Sequence, residues 1–171
     1  MKPIWAPWRI DYILGEKAPG CIFCDKVKDD KDRENGVLLR GRHSFVMLNA
    51  YPYNPAHVMV SPYAHVDTLE QVDPAALHEL IELIRLSEIA IRWAVRPDGF
   101  NVGINIGRAA GAGIEEHLHV HVLPRWGGDV NFMPAVAGVH VIPEALLQTY
   151  DKLKPEFERL GKAHLEKGGT S

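Results

Sequence analysis

The chain reads as an α+β domain, with an antiparallel sheet of about five strands and two main helices. Three observations predict it. Short apolar runs stand between turn formers, as strands do. One long segment repeats its apolar residues at helical spacing between a capping pair and a proline. No internal repeat and no long linker divides the chain, so residues 1–171 are expected to form a single domain. The elements follow in the order strand, strand, strand, helix, strand, strand, helix.

Residues 1–20 form an arm rich in aromatic residues and proline, including Trp5-Ala6-Pro7-Trp8-Arg9. Asp25 to Glu34 is a run of charges and is expected to be a solvated loop without function. Val37-Leu38-Leu39 and Phe45-Val46-Met47-Leu48 read as two strands around a turn at Gly41-Arg42. His57-Val58-Met59-Val60 is a third, after the proline-rich bend at 52–55. Asp73-Pro74 then supplies an N-cap and a proline at the first helical position. Leu77, Leu80, Ile81, Ile84, Glu88 and Ile91 follow on one helical face, with one polar intrusion, and the helix should stop near Arg96 because Pro97 disfavours continuation. Asn101 to Ile106 and His117 to Pro124 make two more strands, joined by the glycine-rich loop Gly107 to Gly113. The last helix is expected to start near Pro143-Glu144 and run towards Lys167, with Pro155 as a point where it can break and residues 143–171 as helix and tail.

Composition bounds the function. A chain of 171 residues supports a proper core. Nineteen basic residues against 22 acidic ones argue against a nucleic-acid-binding face. No apolar run approaches the roughly 18 residues a membrane span needs. The N-terminus alternates tryptophan, proline and arginine instead of building a signal-peptide core, so the expected location is cytoplasmic. Two cysteines exclude a disulfide framework.

The most informative segment is His117-Leu118-His119-Val120-His121. On an extended chain successive side chains alternate, so three imidazoles share one face while Leu118, Val120 and Val122 share the other. The apolar face can join a core and leave the histidines lining a cleft. A fold has no need of three adjacent histidines, each costly to bury unpaired. Neutral imidazole is a competent nucleophile near pH 7, and phosphoryl chemistry asks a protein mainly for positioning and charge stabilisation. His117 and His121 flank His119 and are placed to donate to phosphate oxygens or a leaving group. The amides of Gly111-Ala112-Gly113 add possible donors. A histidine-rich surface strand is the plain alternative.

The run Glu116 to Arg125 fits the pattern His-x-His-x-His followed by apolar residues, and it resembles the histidine triad superfamily of nucleotide hydrolases and nucleotidyl transferases. With Tyr51 to His57, Gly99 to Gly107, Pro124-Arg125-Trp126-Gly127-Gly128-Asp129 and the aromatic arm, the chain is similar to the bacterial branch that includes diadenosine tetraphosphate phosphorylases. The similarity runs from residue 5 to about residue 150. It implies that His119 attacks the α-phosphorus of a nucleotide to give a nucleotidyl-histidine, with His117 and His121 assisting. It also implies the same α+β fold, and a homodimer built through the long helix and an edge strand. The implied partners are a dinucleoside polyphosphate, AMP, ADP or ATP, and inorganic phosphate.

Asn49, at the end of the second strand, matches the family position that holds the ribose hydroxyls; its side chain offers both a donor and an acceptor to a diol. Capping a turn is its alternative use. Asn105 matches the family asparagine that approaches the α-phosphate, against the alternative of a strand-end amide bonding its own backbone. The pattern departs before the triad. Where many relatives carry Gln, Ser or Thr, this chain has Gly113 and Ile114, which leaves backbone amides as the donors and the acceptor open between phosphate and water.

Cys21-Ile22-Phe23-Cys24 is a second constellation. In a reducing compartment a Cys-x-x-Cys pair is a zinc half-site or a pair of small buried hydrophobes. Triad relatives with this pair complete a structural zinc site with two histidines, which the resemblance places at His65 and His117. The reading is a nucleotidyl-transferring enzyme, phosphorylase or hydrolase. A non-catalytic nucleotide sensor and a zinc-scaffold interaction protein are the alternatives.

Overall fold

The computed structural model describes residues 20–129 and 144–167. Five short strands pair antiparallel throughout in the order β1-β2-β3-β5-β4: β1 (Val37–Arg40), β2 (Ser44–Leu48), β3 (Val58–Pro62), β4 (Gly99–Ile104) and β5 (Val120–Arg125). The helix α3 (Pro74–Val95) connects β3 to β4, and α4 (Leu146–Lys167) follows the sheet. Both long helices pack on one face. Leu38, Val46, Val60 and Val122 from the sheet meet Leu80, Leu83 and Ile91 of α3 and Leu153 and Phe157 of α4 in the main core. The α+β expectation holds.

Helix α3 forms where its local signals place it. Asp73 accepts the Ala75 amide at 2.9 Å and Pro74 occupies the first turn. It ends at Arg96, whose left-handed φ of 48° precedes Pro97. Helix α4 continues through Pro155 without a break, held by Tyr150, Leu153 and Phe157 in the core. It starts at Leu146; Pro143, one of the two expected starting residues, lies outside the described residues. The aromatic arm lies outside them too.

The charge run is not a plain loop. It contains the last two residues of α1 (Ile22–Lys26) and the first three of α2 (Asp32–Asn35). Both depend on distant partners. Arg40 binds Asp32 at 2.9 Å and the carbonyls of Val27 and Asp29, while Arg33 pairs with Asp151 of α4. The hairpin turn between β1 and β2 is tied to α3 by Glu79, only 6% exposed, whose carboxylate accepts the amides of Arg42, His43 and Ser44 at 2.9, 2.5 and 2.8 Å.

The opposite face of the sheet is closed by α1. Cys21 and Phe23 pack there against Val37, Phe45, Met47 and Met59. Strand β5 begins at Val120 and not at His117. The register pairs Val60 with Val120 and Val58 with Val122, so the next rung would set Pro62 against Leu118. Proline has no N–H to give, and the ladder stops. Leu118 instead donates to the Val66 carbonyl at 2.6 Å and accepts from the Ser61 hydroxyl at 2.8 Å.

Candidate functional site

The alternation of the histidines survives the loss of the ladder. Leu118 packs with Val72 and Ala76, and Val120 and Val122 enter the main core. His117, His119 and His121 therefore turn to the α1 side. The rings of His119 and His121 lie 5.0 Å apart, and Phe23 lies 5.1 Å from His117 and 4.8 Å from His119, stacked on the latter. His57, immediately before β3, extends the row with its ring 5.1 Å from His121.

Each ring's hydrogen bonds fix its tautomer. His119 Nδ1 lies 2.8 Å from the His117 carbonyl, so Nδ1–H donates and Nε2 keeps a lone pair. His117 Nε2 lies 2.9 Å from the Pro62 carbonyl, so Nε2–H donates and Nδ1 is the free base. The Tyr53 amide donates to His57 Nδ1 at 3.2 Å, which makes His57 Nε2 the protonated nitrogen. That Nε2–H donates to His121 Nδ1 at 3.0 Å. His121 is left with Nε2–H as a donor facing the cleft. A backbone amide four residues from His57 thus sets the proton position on His121 through one intermediate ring.

Burial keeps these imidazoles neutral. Desolvation lowers His57 to about 3 and His121 to about 4, each aided by repulsion from neighbouring histidines, and burial also lowers His119 and His117 below the usual range. At pH 7 the row therefore offers two lone pairs, on His119 Nε2 and, towards the cysteines, on His117 Nδ1, and one donor, on His121 Nε2.

Next to the row, Cys21, Cys24, His65 and His117 bring four ligand atoms within 4.8 Å of one another. His117 Nδ1 stands 3.2 Å from Cys21 Sγ, 3.6 Å from Cys24 Sγ and 3.3 Å from His65 Nδ1; Cys24 Sγ is 3.5 Å from His65 Nδ1. Burial, with the Cys21 thiol beside it, pushes the Cys24 thiol up, so two thiolates here call for a cation. The four residues could hold a metal ion, with the His117–Pro62 bond orienting that ligand from behind.

The remaining predicted residues sit around the same cleft. Asn49 directly follows β2, with its Oδ1 accepting the Tyr51 amide at 2.8 Å, the turn-capping bond, and its Nδ2 3.4 Å from His57 Nδ1. Asn105 follows β4, and the pairing of Gly103 with His121, continued by two places, sets it across from His119. Its half-buried amide has no hydrogen-bond partner among the described residues, which removes the alternative of a strand-end amide bonding its own backbone. Gly111 and Ala112 direct their amides to the carbonyls of Arg108 and Gly107 inside the turn. Gly113 makes no such bond.

Local reading missed His57 as a partner of His121, Phe23 as the ring beneath the row and the Pro62 carbonyl as a support. The histidine opening the third strand was visible, but nothing local ties it to a residue 64 positions later.

A five-stranded antiparallel sheet bearing alternate histidines at the mouth of an inner strand defines the histidine-triad class. The chain belongs to that family: the HIT domain model matches residues 31–128. It is similar to the AP-4-A phosphorylase of Mycobacterium tuberculosis, 38% identical over 93% of this chain and 86% of the relative. It is also similar to the bis(5'-nucleosyl)-tetraphosphatase [asymmetrical] of Schizosaccharomyces pombe, 32% identical over 54% of this chain and 50% of that protein. Among solved structures, a zinc-bound histidine triad family protein from Mycobacterium smegmatis shares the fold, with a TM-score of 0.65 at 21% identity over 84% of this chain and 97% of that one. No helix among the described residues is long and apolar enough to cross a membrane.

Proposed function

We propose that the chain is a nucleotidyl-transferring enzyme that cleaves a dinucleoside polyphosphate, with diadenosine tetraphosphate as substrate and inorganic phosphate as acceptor. The observation that carries this reading is the paired state of His119: Nδ1–H tied to the His117 carbonyl at 2.8 Å, Nε2 free and neutral. Nε2 attacks the α-phosphorus, an N–P bond forms and the bond to the bridging oxygen breaks. ATP leaves from diadenosine tetraphosphate. The cation that develops on the imidazole is stabilised through Nδ1–H by the same carbonyl. His121 Nε2–H and Asn105 steady phosphate oxygens, the Gly113 amide adds a donor, and Gly111 shapes the turn that presents it. Phosphate then attacks the nucleotidyl-histidine, the N–P bond breaks and ADP is released. Asn49 holds the ribose hydroxyls, exchanging its turn-capping bond for the ligand. The similarity to the mycobacterial phosphorylase favours phosphate over water as acceptor.

The metal is zinc. Tetrahedral zinc with Zn–S of about 2.3 Å and Zn–N of about 2.05 Å spaces neighbouring S and N ligands about 3.6 Å apart and two nitrogens about 3.4 Å apart. The observed separations of 3.2–3.6 Å and 3.3 Å fit that figure. When bound, zinc supplies a structural anchor for His117, whose carbonyl holds the nucleophile. We place the enzyme in the cytoplasm, where this thiol pair stays reduced. A homodimer through β4 is favoured by its terminal position in the sheet and by the exposed Ile81 and Trp93 on α3.

His119→Ala should abolish turnover while nucleotide affinity stays within a few-fold. Incubation with diadenosine tetraphosphate distinguishes the acceptors: ADP and ATP formed only with phosphate mean phosphorolysis, AMP and ATP mean hydrolysis. Substantial activity in His119→Ala refutes the proposal.

A further inference from the structure

The row of rings has two unlike ends. At one, His117 is 1% exposed and leads to the two cysteines and His65, while Phe23, fully buried, closes the space beneath His119. At the other, past His121 and His57, stands Tyr53, 57% exposed. Its ring lies 4.9 Å from His57 and 6.0 Å from His121. Among the described residues, the open end of the row runs along His121 and across Tyr53.

Tyr53 is exposed but not loose. Its own amide donates to His57. The next residue, Asn54, donates to the Pro124 carbonyl at 3.2 Å and to Asp129 at 2.8 Å, and Asp129 is itself gripped by both arms of Arg125. Pro52 and Pro55 stiffen the same loop, which closes through a left-handed Ala56 with φ of 59°. An aromatic ring held still in water beside a phosphate-handling cleft contributes little to the core. Its ordering entropy is already spent before a ligand arrives, which favours binding of a flat partner.

We propose that Tyr53 is the subsite for the base of the departing nucleotide, taking a purine against its ring while the retained nucleotide stays with Asn49 and His119. This rests on the nucleotidyl-transfer reading above. It explains what a dinucleoside substrate offers that a mononucleotide does not: a second base, delivered to the open end of the row. The subsite selects for length, because only a substrate with a polyphosphate bridge carries a base beyond His121.

The test compares two substrates in steady state, diadenosine tetraphosphate and adenosine 5'-phosphorimidazolide, whose leaving group has no base. Tyr53→Ala should lower kcat/KM for the dinucleotide about tenfold more than for the imidazolide, the scale of one lost stacking contact. Inhibition by ATP should weaken alongside it. Tyr53→Trp should retain dinucleotide activity, whereas Tyr53→Leu, bulky but not flat, should behave as the alanine variant. An equal loss on both substrates, or rescue by leucine, overturns the subsite and makes Tyr53 a support of the loop. A Tyr53→Ala enzyme unaffected on the dinucleotide also overturns it, while turnover of the imidazolide still upholds the nucleotidyl reading. A folded wild-type enzyme that turns over neither substrate refutes both.

Discussion

Replacing Glu79 by glutamine should unhinge the β1–β2 turn from α3 at a cost that follows from its bonds. The carboxylate receives Arg42 on one oxygen and His43 and Ser44 on the other, with His164 3.5 Å away. Glutamine keeps one acceptor oxygen. Set towards His43 and Ser44, it turns its amino group against the Arg42 N–H and leaves a partly buried donor unmet, costing about 2 kcal/mol. The two surviving bonds lose their charge assistance, about 1 kcal/mol each. The total of about 4 kcal/mol lowers Tm by about 8–16 °C in a chain of this size. Burial alone would raise the Glu79 carboxyl, but the three amides outweigh it and hold it below its ordinary 4.5. Its contribution is therefore present above pH 4.5 and fades as pH falls through the lowered native value. Calorimetry of Glu79→Gln at pH 7 and pH 4 is the assay, and the deficit should shrink at the lower pH. Specific activity of the folded fraction at 25 °C should be retained, since Glu79 bonds to the turn and to His164 and to none of the histidines of the row. A fall in Tm under about 3 °C at pH 7 would refute this account of how the hairpin is held.

Protein purified without chelator should contain about one zinc per chain by elemental analysis, and Cys24→Ser should lose metal and melt lower while its folded fraction keeps most of its turnover. A metal-free protein of full stability would return both cysteines to the core. His57 and His121 are held below the ordinary 6.5, at about 3 and about 4. The unfolded chain therefore binds protons that the native row refuses, so stability should fall between pH 6.5 and pH 4, by up to about 1.4 kcal/mol per pH unit per histidine. Thermal melts across that range should show a gentler slope in His57→Gln. Gly113 has open space around a would-be Cβ, so Gly113→Ser should lower the KM for phosphate and leave that for the dinucleotide unchanged; an unchanged phosphate KM would show that the backbone amide suffices.

What could be read in advance was what the chain encodes locally. Asp73-Pro74 and Arg96-Pro97 bracket α3 because capping and proline sterics act over a few residues. The histidine row was legible because period two follows from extended backbone, with or without a ladder. The family positions put Cys21, Cys24, His65 and His117 in one cluster, and they are there. The two short helices that overlap the ends of the charge run left no pattern of their own, since Arg40 and Asp151 hold them from elsewhere. The proton on His121 was likewise out of reach, because it is set by the Tyr53 amide through His57.

Pro62 divides one stretch of chain into two mechanical regimes. From Val120 to Val122 the backbone is clamped on both sides by neighbouring strands. Two residues earlier it is moored at single points, the Leu118 backbone to the Val66 carbonyl and the Ser61 hydroxyl, and His117 through its ring to the Pro62 carbonyl. The attacking histidine sits on that boundary. Its Cα borrows stiffness from the sheet, while the carbonyl behind its ring belongs to the freer part and can follow a nitrogen as it moves towards phosphorus. A residue with an N–H at position 62 would add a rung, straighten His117 into the ladder and draw its imidazole off the cysteines. The missing donor of one proline thus keeps sheet, cleft and metal cluster as three separable parts.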